Sequence, residues 1–86
     1  MPKPESRKRF TFDRPGNYRI RVQGLLNESW SERMGGLRIT TRSLKDQGPI
    51  TVLVGQLRDQ TELAGVLNTI YELHLPLLSV EYLTVD

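Results

Sequence analysis

Cysteine is absent from these 86 residues, and histidine occurs once, at His74. Without cysteine there are no disulfides, thiolate metal sites or thiol nucleophiles, so the fold has to rest on packing. A single imidazole, with no carboxylates clustered near it, cannot assemble a transition-metal site, and neither a metal nor another cofactor is expected. Long apolar runs are also missing: nothing approaches the roughly eighteen residues that a membrane-spanning helix requires, so no membrane partner is expected. The chain opens Met1-Pro2-Lys3-Pro4-Glu5-Ser6-Arg7-Lys8-Arg9 with no apolar stretch after the charges, which argues against a secretory leader and for the cytoplasm.

A chain this short has room for one thin core, and association with a second copy is an expected supplement, so a homo-oligomer is anticipated. Net charge is +2, unevenly spread. Residues 1–16 hold five basic and two acidic side chains, whereas the rest of the chain holds seven basic and eight acidic ones. Residues 1–16, with their prolines and few apolar side chains, read as a flexible basic arm, and residues 17–86 as a single α+β domain. Within the arm, Phe10-Thr11-Phe12 suits a short edge strand cut off by the turn residues Asp13-Arg14-Pro15-Gly16-Asn17.

Residues 18–23 alternate apolar and polar, so Tyr18, Ile20 and Val22 are expected to face the core and Arg19, Arg21 and Gln23 to face outward. Ser29-Trp30-Ser31-Glu32 has the form of a capping box opening a short helix, which Gly35-Gly36 ends. Residues 37–42 alternate again, with Leu37 and Ile39 inward, and residues 50–57 are rich enough in branched apolar side chains for a central strand. Asp59 with Glu62 three residues later caps a second helix, whose stripe is Leu63, Val66, Leu67 and Ile70. Gly65 costs this helix about 1 kcal/mol relative to alanine unless it lies close against the sheet. Pro76 ends the helix, and residues 77–83 form the last strand. This order matches a ferredoxin-like, split βαβ sandwich with a short, degenerate first helix, in which the last strand returns beside the first. If residues 29–34 are instead an irregular loop, the fold is a sheet with one helix.

No catalytic centre emerges. Glu28, Glu32, Asp59, Glu62, Glu72 and Glu81 fit caps or solvated faces, and Ser29 and Ser79 have only His74 as a base. Gly35-Gly36 precedes a strand, whereas a phosphate-binding glycine run follows one strand and opens a helix. His74 is expected in the last helical turn. The chain is therefore read as a non-enzyme. Arg19, Arg21, Arg38 and Arg42 share the outward face of the sheet, and with Arg7, Lys8 and Arg9 they have the footprint of a polyanion binder. Sheets that read RNA stack bases on exposed aromatics, yet the neighbouring outward positions are read here as Thr51 and Leu53. The same face offers a self-association surface with Leu53 and Leu83 at its centre and arginines at its rim. Trp30, spaced i, i+4 from Met34, is either a lid on the core or an anchor for a partner.

Gly24-Leu25, Trp30-Ser31, Gly36-Leu37, Gly55, Asp59-Gln60, Leu63, Gly65, Leu67 and Leu75-Pro76-Leu77-Leu78-Ser79-Val80 together form a pattern. Over residues 18–83 it resembles a family of small uncharacterised bacterial proteins. The resemblance implies a domain that starts near residue 17 and brings no catalytic residue with it. Met34 stands where the family pattern has an aromatic, and the basic arm lies outside the pattern. Three functions follow as expectations: a non-enzymatic protein-interaction or regulatory module that self-associates; a nucleic-acid binder using the arm and the arginine face; or a small-ligand regulatory domain.

Overall fold

A computed structural model describes residues 15–84. Its elements are β1 (Gly16–Gln23), a 3-10 helix (Glu28–Met34), β2 (Arg38–Leu44), β3 (Gly48–Leu57), α1 (Gln60–Glu72) and β4 (Leu77–Thr84). The strands form one antiparallel sheet in the order β2-β3-β1-β4, so β4 lies beside β1 as expected. The fold is α+β, with a four-stranded sheet carrying one α-helix. The basic side chains of the arm, Arg7, Lys8 and Arg9, and the expected strand at Phe10-Thr11-Phe12 lie outside the described residues.

The first helical segment corrects the expected capping box. Its N-cap is Asn27, whose side-chain oxygen accepts from the Ser29 amide at 2.8 Å. Ser31 Oγ instead donates to the Leu37 carbonyl at 2.7 Å, tying the end of the segment to its own exit. With little more than two turns before the glycines, the backbone stays in the tighter 3-10 form. Gly35 ends it with φ 68°, and an added Cβ there would sit 2.6 Å from Leu57 Cδ2, so both conformation and space call for glycine.

Asp59 caps α1 as its sequence suggests, accepting from the Glu62 amide at 2.9 Å, while Glu62 reaches back to the Arg58 amide at 2.8 Å. At the other end the His74 amide donates to the Tyr71 carbonyl and the Leu75 amide to the Ile70 carbonyl, which is the Schellman pattern. His74 occupies the left-handed position of that motif with φ 62°, one residue beyond the cap Leu73 and past the helix in which it was expected.

Tyr18, Ile20 and Val22 from β1, Ile39 from β2 and Leu53 and Leu57 from β3 meet Val66 and Ile70 from α1 in one core. Met34 and Leu37 close it at the 3-10 end, and Trp30, Leu63, Leu67 and Tyr82 pack on its margin. Gly65 does not lie against the sheet: it is exposed, and an added Cβ would meet nothing within 4 Å. Its cost to the helix is therefore not offset by contact. α1 packs against β3 and the 3-10 helix and leaves the inner side of β4 largely open.

Candidate interaction surface

Strand register arranges the outer face of the sheet in rows. Arg38, Val54, Arg19 and Glu81 lie opposite one another across β2, β3, β1 and β4. Thr40, Val52, Arg21 and Ser79 form the next row, and Arg42, Ile50 and Gln23 the third. Directly opposed residues in antiparallel strands point to the same side, so β3 supplies an apolar stripe of Ile50, Val52 and Val54 with arginines on both flanks. The stripe floors a depression of about 470 Å³, rimmed by Arg19, Arg21, Arg42 and Glu81.

This register corrects two expected positions. Leu53 pairs with Ile20 on one side and Ile39 on the other, and it is 0% exposed, so it belongs to the core and cannot centre an outer surface. Thr51 also points inward. Its hydroxyl accepts from the Leu26 amide at 3.1 Å and donates to the Gly24 carbonyl at 2.7 Å, which pins the loop after β1 to β3. A run of apolar residues on both faces conceals parity, and Gln56 was the residue that could have revealed it. Gln56 is exposed, so the alternate positions Val54, Val52 and Ile50 share its side.

The charges on this face are unequally satisfied. Arg19 Nε donates to Glu81 Oε1 at 2.6 Å. That hydrogen bond, reinforced by the charges of Arg19 and Arg21, holds the Glu81 carboxyl below its ordinary range, and the same bond with the charge of Glu81 raises the Arg19 guanidinium. Arg38 and Arg42 form no ion pair among the described residues. Ser79 Oγ, in the row of Arg21, is buried without a hydrogen-bond partner. Leu83 is half-buried beside a register irregularity between Asn17 and Tyr18.

The described aromatic side chains lie elsewhere. Tyr18 and Tyr82 meet edge to face on the inner side, with ring centroids 5.2 Å apart. Trp30 packs on the core margin, with the Arg33 guanidinium 5.2 Å from its ring centroid, and shares a shallow groove with Thr69, Glu72 and Leu73. It serves as a lid at the end of the core, remote from the arginine rows. His74 makes no hydrogen bond with Ser29 or Ser79, and no three metal-ligating side chains converge among the described residues. No described helix is long and apolar enough to cross a membrane.

Residues 17–81 match a family described as Domain of unknown function (DUF8691). The chain belongs to that family. The DUF8691 segment begins one residue into β1 and ends at Glu81, so it contains every arginine of the outer face, the β3 stripe and the Glu81 counterion. No curated protein and no solved structure matches the chain.

Proposed function

We propose that this DUF8691 domain is a non-enzymatic, self-associating protein-interaction module whose outer sheet face takes an acidic segment of a protein partner. One observation carries the reading: Val52 and Val54 form an accessible apolar floor between arginines, of which Arg38 and Arg42 have no described counterion. Acidic side chains on a partner would complement the rim while an apolar residue fills the floor. The strand order, with α1 crossing from β3 to β4 past β1, supports a ferredoxin-like arrangement whose first helix has shrunk to a 3-10 segment. A bacterial, cytoplasmic setting goes with this reading.

The runner-up is single-stranded nucleic acid, favoured by the same arginines. Among the described residues it lacks a stacking platform, because Tyr18 and Tyr82 face the inner side and Trp30 and Tyr71 sit on the helical segments. A fluorescent Glu/Leu peptide and a labelled oligonucleotide, each titrated at two salt concentrations, separate the two. The peptide is expected to bind, and Arg42→Glu combined with Arg38→Glu is expected to weaken it at least about tenfold, or about 1.4 kcal/mol. Absence of peptide binding at low salt sinks the reading, and tight, steeply salt-dependent oligonucleotide binding replaces it with the runner-up.

A further inference from the structure

Among the described residues β2 and β4 are the edge strands of the sheet, and they are built differently. β2 carries Arg38 and Arg42, charges that discourage pairing with another strand. β4 reads Leu-Leu-Ser-Val-Glu-Tyr-Leu-Thr, and its one charge, Glu81, is already held by Arg19. Val80 is placed on the inner side by its pairing with Ile20, yet it is 40% exposed, with Leu78 at 46% and Leu77 at 49%. Here an apolar strand edge and an uncovered apolar strip coincide.

We propose that the β4 edge is the self-association surface, and that a second copy of the chain adds its own β4 antiparallel about a dyad through Val80. This rests on the reading of the chain as self-associating and specifies where. Opposed residues in an antiparallel pair share a face, so a twofold axis continuing the sheet passes through a residue and not between two. The regular part of β4 between its two register irregularities offers few choices. An axis at Glu81 sets two carboxylates against each other, which is unfavourable. An axis at Ser79 puts Glu81 opposite Leu77.

An axis at Val80 sets Val80 against its copy and Leu78 against Tyr82 on the inner side. On the outer side it sets Glu81 opposite Ser79 of the second copy. The Arg21 beside that Ser79 then lies two strand spacings from Glu81, about 10 Å between backbones, within the joint reach of both side chains. Each Glu81 is bracketed by its own Arg19 and by Arg21 of the second copy. Apolar, polar and charged positions all match in this one register, which is why a second copy fits the edge.

The natural absence of cysteine makes a direct test clean. In the full chain, Val80→Cys is expected to form a covalent dimer on mild oxidation, because opposed Cα atoms in such a pair lie about 4.5–5.5 Å apart, within disulfide range. Thr40→Cys on the β2 edge is the control and is expected to stay uncrosslinked. By light scattering the wild-type chain should have twice its 9.9 kDa mass. Val80→Lys should be monomeric with an unchanged circular dichroism spectrum.

Should Val80→Lys unfold, the cysteine pair still decides. A wild-type dimer in which Val80→Cys crosslinks no better than Thr40→Cys overturns the dyad while leaving self-association standing. A wild-type monomer overturns both. A monomer whose β4 amides resist hydrogen exchange shows that the edge is covered within a single copy and likewise overturns the dimer.

Discussion

Strand β1 sends Tyr18, Ile20 and Val22 to one side of the sheet and Arg19, Arg21 and Gln23 to the other, and the two sides are completed by different means. On the inner side α1, the 3-10 helix and the loop after β1 exclude water from a closed set of apolar side chains. On the outer side the described residues supply a floor and a rim but no cover. Among the described residues the sheet is therefore stabilised mainly through one face. Substitutions in the two layers should separate by size of effect. Ile20→Ala is expected to cost about 2–5 kcal/mol, the range for truncating a buried branched side chain in a packed core. Val52→Ala, on the opposite face of the adjacent strand, should cost no more than about 1 kcal/mol. Urea unfolding of both variants measures the contrast. Equal losses would mean that the outer face is covered in solution.

Thr51 tests the inner layer on the one buried polar side chain among the described residues. Thr51→Val keeps the shape but removes the hydroxyl that serves both the Leu26 amide and the Gly24 carbonyl. Leaving a buried group unsatisfied costs about 1–3 kcal/mol, and of the two only the Leu26 amide bond is fully buried, so the variant should fall between Ile20→Ala and Val52→Ala in urea unfolding. A neutral result would mean that water replaces the hydroxyl and that the loop is not anchored through it.

The difference between the faces was legible in β1 and β2, where apolar and charged residues alternate and the charges mark the solvent side. It was not legible in β3. A central strand whose outer face is itself apolar has no polar marker except Gln56, and its parity is fixed only by pairing with Ile20 and Ile39. That is why Leu53 reads equally well as a surface centre until the register is known. The Asp59 cap and the Pro76 stop were visible because they act within a few residues. Asn27 was missed as a cap because Ser29 and Glu32 offered the same chemistry two residues later, and backbone geometry decided between them. The uncovered strip on β4 depends on how far α1 reaches across the sheet, a property of three-dimensional placement that no local pattern carries.

One position in α1 and one just past its cap sharpen the account of what the solvent side tolerates. Gly65→Ala should stabilise the chain by about 1 kcal/mol, since the helix gains a better former and the added Cβ has open space. His74→Gly should stabilise by a similar amount, about 1 kcal/mol, by relieving a side chain held in the left-handed region. Thermal unfolding of each reads the result. A loss at Gly65 would show that another molecule packs closely on the exposed side of α1.

The smallest effect expected is electrostatic and lies on the outer face. The Glu81 carboxyl, lowered from its ordinary 4.5 by the hydrogen bond and charge of Arg19, binds protons less readily in the folded chain than in the unfolded one. Its contribution is therefore complete above the ordinary carboxylate range and is lost as pH falls through the lower folded value. Both side chains are nearly half exposed, at 44% and 46%, so screening keeps the contribution small. Unfolding midpoints of the wild type and Glu81→Gln, compared from neutral to acid pH, should differ slightly and converge at the acid end. Arg19→Gln should erase the difference, and a gap that widens on acidification would reverse the sign assigned here. If β4 pairs with its copy through Val80, raising the protein concentration should enlarge the gap, because Arg21 of the second copy then joins Arg19 around the same carboxylate.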